Sequence, residues 1–277
     1  NLSMILGFQP NKNLNFYAGP VYQTVKGNVQ LRGLAYGGNA TFGGYNASIK
    51  ETGDIGWLAG AAFQIPDIAL KASVTYRSEI EHSVNVKESF NSAGLLAGLN
   101  AAPSLNTDIT TPQSVNLDFQ TGIMANTVAF ANVRWVDWSS FSIQPYKFGL
   151  ASKSAAIQAQ TGKSEFDLVA YTDDQISATV GVGRKLNDQW AGNVSVGWDS
   201  GAGNPVTTLG PTEGYWNVGL GAQFSPTPQT FIAGGVKYFW LGDAKAQSGA
   251  QFDTANYVAD FESNYAIAYG LKMGYKF

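Results

Sequence analysis

The sequence has no cysteine and only one histidine among its 277 residues. The missing thiols exclude zinc fingers, disulfide scaffolds and thiol catalysis. Charge is scarce as well, at 13%, about half the roughly 25% of an ordinary soluble domain. A net charge of -3 leaves no basic footprint for nucleic acid. No apolar run approaches the roughly 18–20 residues of a membrane-spanning helix. That does not exclude a membrane, because barrel strands alternate apolar and polar residues and average to a hydropathy near zero. The chain opens at Asn1, with neither initiator methionine nor signal peptide. Glycine (32 residues) and aromatic side chains (13%) are abundant, while the mean hydropathy is only -0.09. Disorder is excluded by an apolar content of 44%.

The C-terminal stretch carries the clearest pattern. Tyr265, Ile267, Tyr269, Leu271, Met273, Tyr275 and Phe277 form an apolar row at period two, separated by Ala266, Ala268, Gly270, Lys272, Gly274 and Lys276. Such alternation specifies a strand with one apolar face, longer than the five or six residues typical of a soluble sheet. Similar rows run through Leu70–Tyr76, Val115–Ile123, Ile176–Val182 and Trp216–Phe224. Eleven segments follow: 1–9, 14–32, 55–64, 69–87, 113–124, 128–142, 174–184, 189–199, 214–224, 230–241 and 263–277.

Short turns near 10–13, 65–68, 125–127, 185–188 and 225–229 alternate strictly with long segments at 33–54, 88–112, 143–173, 200–213 and 242–262. Tight turns on one rim and long loops on the other are the asymmetry of a membrane barrel. The expected fold is therefore all-β, a transmembrane antiparallel β-barrel occupying 1–277 as a single domain. Bacterial barrels have even strand numbers, so eleven strands imply an N-terminal truncation.

Particular segments carry a family resemblance. Ala72-Ser73-Val74-Thr75-Tyr76-Arg77-Ser78-Glu79-Ile80 follows Gly56-Trp57-Leu58-Ala59-Gly60 and a short turn. Gly19-Pro20-Val21-Tyr22, Arg134-Trp135, Trp138-Ser139-Ser140-Phe141 and the terminal Met273-Gly274-Tyr275-Lys276-Phe277 fit with it. Together they resemble the FadL-type family of outer-membrane long-chain fatty acid and hydrocarbon transporters. The resemblance implies a fourteen-stranded barrel with an N-terminal hatch, eleven strands being present here. It also implies a basic residue near the end of the second strand to meet a substrate carboxylate. Val29 aligns there, with Arg32 three residues on.

Candidate chemistry is sparse. By parity the lone His82 shares the outward face with Tyr76 and Val84, which argues against a hydrolase. Gly162-Lys163-Ser164 lacks the glycine five residues earlier that a P-loop needs, that position being Ile157. Asp173-Asp174 has no neighbouring ligands in sequence, so no metal and no cofactor is expected. The row Lys71, Thr75, Arg77, Glu79 and Glu81 must face the lumen, because a Lys or Arg at the lipid midplane costs about 2–4 kcal/mol. Arg77 is read either as structural, it and the glutamates forming ion pairs with the hatch or neighbouring strands, or as a bidentate contact for a carboxylate. Arg77, Glu79, Arg134, Trp138 and Arg32 are the candidate lumen ligands.

Loop 88–112 places Phe90, Leu95, Leu96 and Leu99 at helical spacing. Leu34, Tyr36, Phe42 and Tyr45 of loop 33–54 could cover that helix or form a capture groove with it. The expected function is passive transport of hydrophobic compounds, preferably long-chain fatty acids, through the outer membrane of a Gram-negative bacterium. Outer-membrane lipids are the surrounding partners and a monomer is the expected state. The alternatives are a porin for small polar solutes and a structural or adhesive surface barrel.

Overall fold

The computed structural model describes residues 1–275, so Phe277 at the end of the terminal row lies outside the described residues. The eleven expected strands form the staves of one antiparallel meander. The first stave is β1 (Leu2–Ser3) continued by β2 (Leu6–Asn11). The second and third are β3 (Leu14–Gln30) and β4 (Asn46–Ile65). β5 (Leu70–Arg77) with β6 (Ile80–Ser89) makes the fourth, and β7 (Asn106–Thr111) with β8 (Ser114–Met124) the fifth. After β9 (Thr127–Val136), two-residue loop strands β10 (Ser142–Ile143) and β11 (Val169–Ala170) pair with each other. Staves β12 (Gln175–Lys185) and β13 (Trp190–Asp199) follow, then the loop strand β14 (Val206–Thr207). Staves β15 (Tyr215–Phe224) and β16 (Thr230–Leu241) precede loop strands β17 (Ala244–Gln247) and β18 (Ala259–Phe261) and the last stave, β19 (Tyr265–Tyr275). The third stave starts nine residues earlier than its alternation indicated, the fifth seven earlier, and the sixth ends at Val136 rather than 142. Among the described residues no ladder joins the first stave to β19.

Directly paired residues share a face of a sheet, so the register fixes what meets lipid. Trp198 pairs Trp216, Trp216 pairs Trp240 and Trp240 pairs Tyr265. All four are exposed large rings, and with Trp57 against Tyr76 (centroids 5.1 Å apart) they form an upper aromatic girdle. Trp190 against Phe224, 4.8 Å apart, marks a lower one. Trp190 to Trp198 covers about 27 Å along the strand, enough for a tilted strand to cross most of a roughly 25 Å apolar band. Between the girdles the outward row is Val, Leu, Ile, Ala and Phe. The opposite row holds small and polar residues, among them Gly183, Asn193, Gly235 and Gly270, which border a volume of about 790 Å³.

Above the upper girdle the third, fourth and fifth staves change face at one level. The β3–β4 register slips by one residue between Val25 and Gly27. β5 gives way to β6 at Ser78–Glu79, and β7 to β8 at Pro112–Gln113. Beyond these breaks Ala47, Ile80, His82, Val84, Val86, Glu88, Thr107 and Ile109 are buried inward. His82 therefore does not face outward, and Glu79 and Glu81 are exposed rather than lumenal. The parity that fixed both readings fails because the strand is interrupted at Ser78–Glu79 and turns over there, while its pairing with β4 resumes in the same register. The side chain of Ile80 leans over Gly56, where a Cβ would sit 2.5 Å from Ile80 Cγ1, so this close approach requires glycine.

The long loops fill the outer mouth with an apolar core. Phe42, Tyr45, Phe90, Leu96, Phe148, Ile157 and Phe166 pack with Val84, Val86 and Ile109 of the wall. The helix expected in 88–112 is a single 3-10 turn, Ala97–Ala101. Pro103 and the Ala-Gly-rich spacing give it too little to propagate, since a helical nucleus must gain bonds over several residues. Helices occur instead at α1 (Tyr146–Ser152) and α2 (Ala155–Thr161). Glu88, buried at the top of the fourth stave, accepts from Tyr45 Oη, Lys147 N and Phe148 N, each at 2.8 Å. It thereby satisfies two orphan amides at the start of α1. Burial and the neighbouring carboxylate push the Tyr45 hydroxyl far above its ordinary range. In the 200–214 loop, Glu213 is half-buried beside Asp173 and Asp199 and its carboxyl is pushed up to about 7.

Two outcomes follow. Glu88→Ala strands three donors in an apolar core, at a cost of about 3 kcal/mol for the loop assembly. Hydrogen exchange at Tyr146–Ser152 should then rise more than a hundredfold, whereas Glu88→Gln, which keeps an acceptor, should have a much smaller effect. Glu213 has a folded value above its unfolded 4.5, so the folded state holds the extra proton between about 4.5 and 7. Loop stability is present at low pH and lost as pH rises through that window. The loss is on the order of 1 kcal/mol once solvent screening is allowed for. Exchange in 200–214, corrected for intrinsic rate, should speed up across the window, and Glu213→Gln should flatten the profile.

Candidate functional site

Below the loop core a cavity of about 440 Å³ opens into the lumen, within the range of small-molecule sites, roughly 300–1,000 Å³. Three sequence-predicted residues meet there: Arg77, Arg134 and Trp138. Arg77 ends β5, where it pairs Leu58 and Ser114. Arg134 lies near the end of β9, where it pairs Asn116 and Ser177. Both arginines are on the inward face set by the ladder, and each lies in the electrostatic field of the other. Among the described residues the ion pairs are Lys153–Glu165, Lys163–Asp253 and Lys185–Asp188, so neither arginine has a carboxylate partner. Arg134 reaches only Ser114 Oγ, at 3.5 Å. Arg77 does not pair with Glu79 or Glu81: the half-turn at Ser78–Glu79 carries both glutamates outward.

Trp138 and Phe141 line the same cavity, and the Trp138 ring lies 5.2 Å from Phe141 and 5.1 Å from Tyr171. It is held in place from the neighbouring stave, where Asp174 accepts from Trp135 Nε1 at 3.0 Å and Ser139 Oγ at 2.6 Å. Asp174 is thus a structural acceptor, and no cluster of metal-ligating side chains occurs among the described residues. Gln23, Ile80, Thr111 and Gln175 also line the cavity. Sequence reading missed them because Ile80 and Thr111 lie just past the face change.

The remaining lumen candidates fall elsewhere. Arg32 is exposed and braces the top of the second and third staves, donating to Leu31 O at 2.7 Å, Tyr45 O at 3.0 Å and Asn46 Oδ1. Its donors are spent on this brace, well away from the cavity. Glu79 is on the outer surface and touches no part of the site.

Above the arginines, a second pocket of about 190 Å³ opens among the loops. Tyr36 and Phe42 of the expected capture residues line it, with Leu31, Phe148, Ile157 and Phe166. Phe90 and Leu96 are buried in the core beneath and Leu99 packs against it. Phe90 lies 5.1 Å from Tyr45 and 6.3 Å from Phe42. Leu34 and Leu95 project into solvent, 92% and 56% exposed. The two loops therefore do pack together, but the pocket forms between loop 33–54 and the helical loop carrying α1 and α2, which sequence periodicity did not mark.

The fold is similar to that of a FadL homologue from Pseudomonas aeruginosa, with a TM-score of 0.59 at 17% identity over 87% of this chain and 59% of that one. It is also similar to the toluene transporter TodX of Pseudomonas putida, with a TM-score of 0.52 at 12% identity over 85% of this chain and 62% of that one. At such identities the likeness concerns the fold alone. The chain spans less than two thirds of the length of either structure. No curated protein is similar enough to count as a relative. The family model of outer membrane protein transport proteins (OMPP1/FadL/TodX) matches residues 1–277, and the chain, with its lipid-facing girdles and meander of staves, belongs to that family of Gram-negative outer-membrane barrels.

Proposed function

We propose that this chain forms the wall and outer mouth of a passive outer-membrane channel for hydrophobic compounds, with long-chain fatty acids as the preferred cargo. The observation that carries this reading is the pair of arginines, without carboxylate partners among the described residues, in a cavity beneath an apolar loop core. The loop pocket receives the acyl chain, and the guanidinium groups receive the carboxylate by charge-assisted hydrogen bonds. An uncharged aromatic, the cargo named for TodX, would have no use for two unpaired cations and would leave both desolvated at a cost. The apolar packing across the outer mouth likewise supports a hydrophobic route over a hydrated porin. The even strand number of bacterial barrels and the outer edges of the first stave and β19 support further wall segments that close the lumen. The domain 1–277 then works as part of a monomeric barrel embedded in outer-membrane lipid.

The test is uptake by intact cells that express the complete gene. Arg77→Ala removes a charged hydrogen bond contributing roughly 1.5–3 kcal/mol. Oleate uptake at low concentration should fall tenfold to a hundredfold, with hexadecane uptake unchanged. Equal loss for both, together with lower heat stability of the barrel, would make Arg77 structural and sink the fatty-acid assignment. Ala250→Trp fills the loop pocket and should slow both substrates several-fold. Unchanged uptake of both would remove the capture step.

A further inference from the structure

The lumen-facing side chains of three neighbouring staves follow one vertical order. On β3, Val21 and Gln23 line the arginine cavity, while Val25 and Val29 pack against the loop core. On β6, Ile80 lines the cavity and Val84 and Val86 belong to the core. On the fifth stave, Ser114 and Thr111 line the cavity and Ile109 belongs to the core. Between cavity and core lies a single polar layer. His82 Nε2 donates to Gln23 Oε1 at 2.9 Å, and Thr111 Oγ1 donates to the same oxygen at 2.7 Å. His82 reaches Gln23 across β4, and its ring is completely buried.

This layer is incompletely satisfied. With Nε2–H given to Gln23, the other ring nitrogen of the neutral imidazole is an acceptor. That atom, Nδ1, is buried and has no partner, and Thr107 Oγ1 is in the same condition. His82 pairs Ile109 and Val84 pairs Thr107, so both open valences lie on the inward face of one hairpin, on the core side of the polar layer. A buried acceptor lacking a donor is destabilising, and an arriving O–H relieves it. A bare hydrocarbon offers no such relief.

We propose that the His82–Gln23–Thr111 layer is a receiving site for the hydroxyl of an amphiphile, a long-chain alcohol or an undissociated fatty acid, with His82 Nδ1 accepting the O–H as the head group leaves the loop core for the arginine cavity. This rests on the transport reading above and adds a selection step to it. Head groups that donate a hydrogen bond are favoured at this level over molecules with no head group. The arginines below then take whatever arrives as an anion. Gln23 holds the imidazole in the tautomer that leaves Nδ1 an acceptor, and Thr111 fixes Gln23.

Labelled hexadecanol and hexadecane are the probes, in cells expressing the complete gene. His82→Phe should reduce hexadecanol uptake roughly fivefold to tenfold, the weight of one buried hydrogen bond, and leave hexadecane unchanged. Thr107→Val should lower hexadecanol uptake less. Equal changes for both probes, or none, would overturn the site. His82 is the only histidine of these 277 residues, so once any histidine elsewhere in the complete protein is replaced by glutamine, ¹⁵N-histidine labelling in lipid nanodiscs gives one imidazole to observe. Hexadecanol should shift the Nδ1 resonance and hexadecane should not. A resonance unmoved by hexadecanol overturns the proposal even where His82→Phe fails to reach the membrane. Should the wild type take up neither probe above cells lacking the gene, the transport reading fails, while the resonance still decides the site.

Discussion

In hydrocarbon an unpaired backbone N–H or C=O costs several kcal/mol, and that one constraint decides where this wall is regular and where it can break. Between the girdles the staves from β4 to β19 are paired almost residue for residue with their neighbours. The widest break lies above Trp57 and Tyr76. β4 pairs β5 up to Leu58 and Arg77, then pairs β6 only from Ile49 and Val86 onward. Over 50–57 and 78–85 no strand ladder joins the two, and Ser78 alone bridges, through its amide to Trp57 O at 3.0 Å and its hydroxyl to Trp57 N at 3.0 Å. Lys50, Glu51, Glu79 and Glu81 are exposed along this seam, so water rather than lipid solvates the freed groups. The break falls where it is tolerable.

The same level explains the change of face. Within the membrane the apolar row of a stave must look outward to lipid. Above it the outside is water, and apolar side chains have to turn inward against the loops. The row Tyr76, Ile80, His82, Val84 and Val86 keeps its apolar character throughout, so a half-turn at Ser78–Glu79 transfers it from lipid to core without any change of composition. The odd row of β4 behaves alike: Ile55 and Trp57 face out, Ala47 and Ile49 face in. β3 has no matching break in its own chain and solves the problem differently. Its outward row becomes polar above Tyr22, with Thr24, Lys26, Asn28 and Gln30, while Val21, Val25 and Val29 stay inward.

This is also the limit of what was legible in the sequence. Alternation identifies residues on one face, and the outward row of β19 and the inward position of Arg77 were readable from it. Alternation is silent on which face is which once a strand is interrupted and turns over, and for that reason His82, Glu79 and Glu81 were placed on the wrong sides. The third stave was read as starting at 55 because Lys50, Glu51 and Asp54 interrupt an apolar row that resumes at Ala47 and Ile49. In the loops the helical spacing of Phe90, Leu95, Leu96 and Leu99 was real but served packing. Phe90 and Leu96 go into the core and Leu95 into solvent, since the loop is pinned at both ends by wall strands and cannot wind. The helices α1 and α2 owe their position to a distant residue, Glu88, whose carboxylate holds the first amides of α1. No local signal in 143–173 announces a partner more than fifty residues away.

Vertical order then sets what the site can do. An acyl chain gains its free energy by leaving water, roughly 0.8 kcal/mol for each methylene buried, and it can do so in the loop pocket without any specific polar contact. On the proposed transport reading, a carboxylate head loses hydration along the same route and meets a charged partner only at Arg77 and Arg134. Apolar capture above and the two cations below would then divide the work between the two ends of an amphiphile. A channel with only the upper part would bind hydrocarbons and acids alike and release neither in a preferred orientation. One with only the lower part would fill with inorganic anions. The fold keeps the two apart by the height of a few strand residues, with Arg77 just below the level at which the fourth stave turns and Val84 and Val86 of the loop core just above it.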